Sequence, residues 1–155
     1  MGKFDFILSK LIPYWAVGLL VLGYSMVLAR LIYGQEPVGN IWVIFLFASL
    51  FILVVSSMGL IVSNYSDTTQ QAAIVMFFFL VIFILLSGLI TPVSSMPEWA
   101  KAFTRINPLR YFIEAMRTLY LKGSNLYELR HHFYALSVYA AAMWIWAVWS
   151  YQKNR

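Results

Sequence analysis

Arg110, Glu114 and Arg117 stand four and three residues apart, so on a helix they share one face and their opposite charges can pair. Such a set either joins two elements as a charge network or is the solvated side of a helix, where exposed pairs contribute little. No catalytic constellation accompanies it. The two histidines, His131 and His132, are adjacent. On a helix they point about 100° apart and do not readily share a metal, so a membrane-interface role is expected and no metal site. The phosphate-binding pattern GxxxxGK[ST] is absent, which excludes that mode of ATP binding. There is no cysteine, hence no disulfide and no thiolate metal ligand. Asn64-Tyr65-Ser66 matches a glycosylation sequon, a pattern common by chance.

The charged trio belongs to a segment, 87–123, that holds two short amphipathic helices, each opened by a proline. Pro97 starts the first, and Trp99, Ala102, Phe103 and Ile106 fall on one face. Asn107 is a good N-cap and Pro108 suits the first position of the second helix. Leu109, Phe112, Ile113, Met116 and Tyr120 form one face of it, the charged trio the other, and Gly123 is placed to end it. A segment of this kind lies on or dips into a membrane surface.

Composition sets the class. Hydrophobic residues make up 62% of the chain and charged ones 11%, against roughly 25% in soluble domains. No charge occurs from Leu11 to Ala29, Pro37 to Ser66, Thr68 to Pro97 or His131 to Gln152. A helix crosses the hydrocarbon core with about 20 apolar residues. The expected fold is an all-α membrane protein with four transmembrane helices, near 11–33, 41–62, 72–90 and 132–151, and the amphipathic segment 91–131 before the last. A chain of 155 residues is too short to bury four such helices in a soluble core. The span interiors hold no Asp, Glu, Lys or His, which argues against a self-contained ion-coupled carrier. Arg30 sits at the end of the first span, where it can snorkel. Trp42, Trp99, Trp144, Trp149 and Tyr151 fit interfacial belts, with Trp146 deeper.

The first span resembles a signal peptide in its flanking Lys3 and Lys10 and in Val27-Leu28-Ala29, but its apolar run is too long, and a retained span is expected. Phe6 rules out a myristoylation site at Gly2. Gly59 and Ser63 are four apart, Gly18 and Gly23 five apart; ordinary helix packing accounts for them. The short polar loop 63–71 makes spans two and three an antiparallel hairpin, and Phe77, Phe78, Phe79 and Phe83 of the third face lipid. Positive charges are divided, four at the termini and six in 91–131; counting alone would put 91–131 in the cytoplasm, but the division is too even for the positive-inside rule to fix the orientation.

Gly88, Pro92, Met96-Pro97, Asn107-Pro108, Tyr111, Arg117 and Lys122-Gly123, in this order, resemble the C-terminal signature of ABC-2 type transporter permeases. Lys10-Leu11-Ile12-Pro13-Tyr14 and the loop 67–72 resemble the same family. The resemblance covers essentially the whole chain, read as one transmembrane domain over 1–155. It implies the membrane subunit of an ATP-binding-cassette exporter in the cytoplasmic (inner) membrane. The partners would be a cassette ATPase, a second permease subunit and membrane lipid; the +5 net charge suits anionic headgroups and gives no nucleic-acid surface. The chain itself would be no enzyme and hold no cofactor, with ATP and Mg on the ATPase. The resemblance also puts both termini in the cytoplasm and the amphipathic pair on the outer side. The motif residues there, with Arg110 and Glu114, would form an outer gate. Permeases of this kind usually have six spans, and this chain resembles the last four. A truncated or split permease, or a non-transporting scaffold, is therefore the alternative expectation.

Overall fold

The computed structural model describes residues 2–151 and, among them, its regular elements are all helices, joined by loops and turns. Six helices follow one another: α1 (Lys3–Tyr33), α2 (Ile41–Tyr65), α3 (Thr69–Leu85), α4 (Glu98–Ile106), α5 (Pro108–Lys122) and α6 (Arg130–Ser150), with a 3₁₀ turn at Val93–Ser95. Helices α1, α2 and α6 are long and apolar enough to cross a membrane; α3 is apolar but shorter. The expected Lys153 and Arg155 charges lie outside the described residues.

The spans start and stop where capping groups are found. Asn40 Oδ1 accepts from Trp42 N and opens α2. Thr68 opens α3 by accepting from Gln71 N, while Gln71 Oε1 accepts from Asp67 N. Only 66–68 separate α2 from α3, which makes them the expected antiparallel hairpin. Gly34, in the left-handed region, closes α1. Arg30 in its last turn pairs with Glu36 at 2.8 Å. Helix α1 begins at Lys3, well before the expected Leu11, and runs unbroken through Pro13 and Ala29. Its first turn packs on α6 through Phe4 and Trp144, whose rings are 4.8 Å apart.

The third span departs most from expectation. It was expected over 72–90 but spans Thr69–Leu85. Seventeen residues rise about 26 Å, short of the roughly 30 Å core. The apolar Leu89 and Ile90 that prolong the hydropathy pattern belong to a turn in which Gly88 has φ +84°.

Helix α2 is the hub. It packs against α6 along its length and also touches α1, α3 and α5. Its buried residues Ile44, Phe47, Ala48, Val54, Ser57 and Ile61 follow helical spacing. On α6, Leu136, Ala140 and Ala147 face it, the small side chains allowing close approach. The core centres on Ile44, Phe47, Ala115, Leu119, Leu129 and Leu136, where α2, α5 and α6 meet. Phe51 and Phe112 stack beside it at 4.4 Å. No residue of α3 is buried, and Phe77 and Phe78 are exposed, as suits a lipid-facing span.

The amphipathic helices do not bury their faces in the same way. On α4 the protein-facing residues are Ala100 and Thr104, both buried. The apolar row Trp99, Phe103 and Ile106 points away, each about 60% exposed. On α5 the residues facing the core are Ala115 and Leu119, with Tyr111, Phe112, Met116 and Tyr120 packed around it.

Candidate functional site

The motif residues gather at one end of the bundle, where α3, α4, α5 and α6 meet. Asn107 joins three of them. Its Oδ1 accepts from Leu109 N at 3.0 Å and so caps α5. Its Nδ2 donates at 2.7 Å to the carbonyl of Phe83, one of the last-turn carbonyls of α3 that lack an intrahelical partner. The side chain that starts α5 therefore also stops α3. Asn107 is 3% exposed, so neither bond competes with water. Ser87 helps to end α3: its hydroxyl donates to Ile84 O and accepts from Leu89 N.

Two phenols complete the end of α4. Tyr111 of α5 donates to Arg105 O at 2.8 Å, and Tyr139 of α6 donates to Ile106 O at 2.6 Å. Pro97 precedes α4 and its carbonyl accepts from Lys101 N. Met96 is buried with its sulfur 3.5 Å from the Thr104 hydroxyl, which donates to Ala100 O. Pro108 is buried at the start of α5. Gly123 ends α5 in the left-handed region, φ +65°. The α1–α2 loop covers that end: Gly39 N donates to Leu119 O at 2.9 Å and Val38 N to Tyr120 O at 3.2 Å. A Cβ on Gly39 would lie 2.6 Å from Leu119 O, so only glycine permits this approach.

The charged trio is rearranged. Arg110 Nε meets Glu114 Oε1 at 2.9 Å, as the spacing predicts. Arg117 is exposed and makes no ion pair among the described residues. The second partner of Glu114 is His132 of α6, whose Nε2 is 3.0 Å from Oε2. A carboxylate only accepts, so Nε2 carries the proton and the buried Nδ1 has no partner. Partial burial pushes the Glu114 carboxyl up, yet the hydrogen bonds from Arg110 and His132 and their charges outweigh this and hold it below its ordinary 4.5. His131 is exposed and packs edge-on to Tyr111. No group of three or more His, Cys, Asp or Glu that could hold a metal ion occurs among the described residues.

Beside this pair lies a cavity of about 300 Å³. Gly88, Pro92, Val93, Ile113, Glu114 and Arg117 contribute to its wall. Gly88 must be a glycine twice over, because φ is +84° and a Cβ would come within 2.9 Å of Val93. The turn at 86–92, the end of α3 and the polar side of α5 thus enclose one mixed cavity, walled by apolar groups and edged by a carboxylate and a guanidinium.

This arrangement, short amphipathic helices tied to the end of an apolar hairpin and to the last span, coincides with a family match. The family model described as ABC-2 type transporter matches residues 1–121. The chain belongs to the ABC-2 type transporter family. Among its relatives, the probable multidrug ABC transporter permease YbhS of Escherichia coli is 32% identical over 152 residues, 97% of this chain and 40% of that protein. The probable multidrug ABC transporter permease YbhR of the same organism is 34% identical over 74 residues, 48% of this chain and 20% of that one. ABC transporter G family member 20 of Dictyostelium discoideum is 32% identical over 111 residues, 70% of this chain and 15% of that protein. This ABC-2 type chain therefore spans well under half the length of these relatives. No solved structure matches it.

The sequence marks His132 only as an interfacial residue, not as the partner of Glu114, and does not mark Tyr139, Ser87 or Gly39. Their partners lie 18, 33, 3 and about 80 positions away. Only the Ser87 contact is local enough to leave a signal.

Proposed function

We infer that the chain is a transmembrane permease subunit of an ATP-binding-cassette exporter, corresponding to the last four spans of such a subunit and forming one domain over 1–155. The observation that carries this reading is the similarity of 97% of the chain to a permease, with the amphipathic pair included. ATP and Mg belong to a separate cassette ATPase; this chain performs no chemistry. A second permease subunit, the same or different, completes the path. The chain resides in the cytoplasmic membrane with both termini inside and α4 and α5 outside. The relatives' names favour a multidrug range of substrates.

In this reading the ATPase moves the spans through differential contact with their two arrangements, which is all that can shift such an equilibrium. Helices α4 and α5 form the outer gate. Arg110, Glu114 and His132 hold α5 to α6, and Arg117 guards the cavity mouth. Gly88, Pro92, Met96, Pro97, Asn107, Pro108, Tyr111 and Gly123 fix the geometry of that gate.

Two experiments test it. Cells lacking the chain should accumulate more of a panel of amphiphilic dyes than the parent, with restoration from a plasmid; equal accumulation for every dye contradicts export of such compounds. Asn125→Cys, in a chain that has no other cysteine, should react with a membrane-impermeant thiol reagent in intact cells. Labelling only after lysis would reverse the orientation.

A further inference from the structure

A second cavity lies at the opposite end, away from the motif residues of α4 and α5 and walled in part by Lys10, Leu11 and Tyr14 of the first-span motif. It is a crevice of about 410 Å³ between α1 and α2, within two to three turns of the α2–α3 loop. Lys10 and Tyr14 of α1 face Ser56, Gly59 and Ser63 of α2 across it, with Leu11 and Leu60 as apolar wall.

Three observations set this crevice apart from ordinary helix packing. First, its glycine does not serve close approach. A Cβ on Gly18, elsewhere on the same pair of helices, would strike Ile52 at 2.6 Å, whereas one on Gly59 would meet nothing within 4 Å. Gly59 leaves space rather than filling it. Second, the hydroxyls are unspent. Ser25, Ser49 and Ser66 each donate to the carbonyl four residues back. Among the described residues Ser56, Ser63 and Tyr14 make no side-chain hydrogen bond; Ser57 Oγ also has none, but it is buried away from the crevice, whereas these three hydroxyls line one cavity together. Third, the lining holds one cation and no carboxylate. Lys10 rests over the Phe6 ring at 4.6 Å and has no ion pair among the described residues. Polar groups at this depth of a membrane are costly unless partnered.

We propose that this crevice binds the headgroup of an anionic phospholipid, the phosphate meeting Lys10 and the phosphate and glycerol together spanning the hydroxyls of Tyr14, Ser56 and Ser63, with an acyl chain along Leu11 and Leu60. Ser56 and Ser63 are seven residues apart, about 10 Å along α2, a span that a phosphate and its glycerol can bridge. The site is independent of the export reading: it needs only these two spans in a bilayer.

The test reconstitutes the purified full chain in vesicles of equal phosphatidylglycerol and phosphatidylcholine, extracts it gently and counts retained lipids by native mass spectrometry. Wild type should retain phosphatidylglycerol in preference. Lys10→Gln should lower that preference about fivefold, the effect of one basic residue near an anionic surface, and Lys10→Arg should keep it. Gly59→Leu should abolish retention with unchanged far-ultraviolet circular dichroism, since the new side chain enters open space. Gly59→Ala, which leaves most of the space, should retain the lipid. Equal retention of both lipids by wild type, or undiminished preference in Gly59→Leu, overturns the proposal.

Discussion

At the end carrying α4 and α5, the C-terminal carbonyls of α3, α4 and α5 are met by groups from other elements: Phe83 O by Asn107, Arg105 O by Tyr111, Ile106 O by Tyr139, Leu119 O by Gly39. At the other end two cross-element bonds of this kind are seen among the described residues, both from the Asn64 amide, to Ser150 Oγ at 2.9 Å and to Ala147 O at 3.3 Å. There α1 and α2 stand apart around an open crevice. Directed bonds tolerate little displacement, most of all at the buried Asn107, where a broken one leaves a buried polar group unpaired. Packing against lipid tolerates sliding. The difference assigns rigidity to the amphipathic end, which would move as one body, and freedom to the end nearer the termini.

Substitutions can break this contrast. The largest effect is expected at Asn107. Asn107→Leu removes both bonds and leaves Leu109 N and Phe83 O unpaired, at a cost of about 2–4 kcal/mol. Asn107→Ser keeps the cap of α5 but cannot reach Phe83, and should lose about half as much. Thermal unfolding in detergent measures both, and equal losses would deny the second role of Asn107. Next comes a paired glycine test. Gly39→Ala forces a Cβ against Leu119 O and should cost about 1–3 kcal/mol, as overpacking does. Gly59→Ala meets open space within a helix and should stabilise by about 0.5–1 kcal/mol. Opposite signs are required; like signs would erase the difference between the ends. Tyr139→Phe should cost about 1 kcal/mol, one hydrogen bond at the end of α4.

The smallest effect is that of Glu114. Its folded pKa is depressed, so its contribution is present above the ordinary 4.5 and is lost as pH falls through the lower folded value. The melting-temperature difference between wild type and Glu114→Gln should therefore be steady near neutrality and shrink towards zero in acid. The carboxylate is partly exposed, so the difference is small. A difference that grew on acidification would contradict the pairing.

Much of this design is legible in the sequence, and the exceptions share a cause. Pro97, Asn107-Pro108 and Gly123 punctuate the amphipathic pair as their local chemistry dictates, and the charge-free runs locate the spans. Periodicity correctly groups Trp99, Phe103 and Ile106 on one face. It does not say whether that face meets protein or lipid, since both are apolar. The end of α3 was misread because Leu89 and Ile90 continue the hydropathy while the groups that stop the helix are Ser87 and, 24 residues from Phe83, Asn107. Arg117 was grouped with Glu114 from spacing alone, whereas the structure supplies His132 from the next helix. Local signals were readable; bonds between helices were not.

If this ABC-2 type chain serves, as we propose, as the membrane subunit of an ATP-driven exporter, it travels in the membrane with the ATPase that drives it. The most direct test is a detergent pull-down of the endogenously tagged chain from native membranes, with every partner identified by mass spectrometry. The account predicts a copurifying cassette ATPase together with a second permease chain. The tagged chain recovered with no ATPase, under conditions that preserve a known exporter complex, would contradict it.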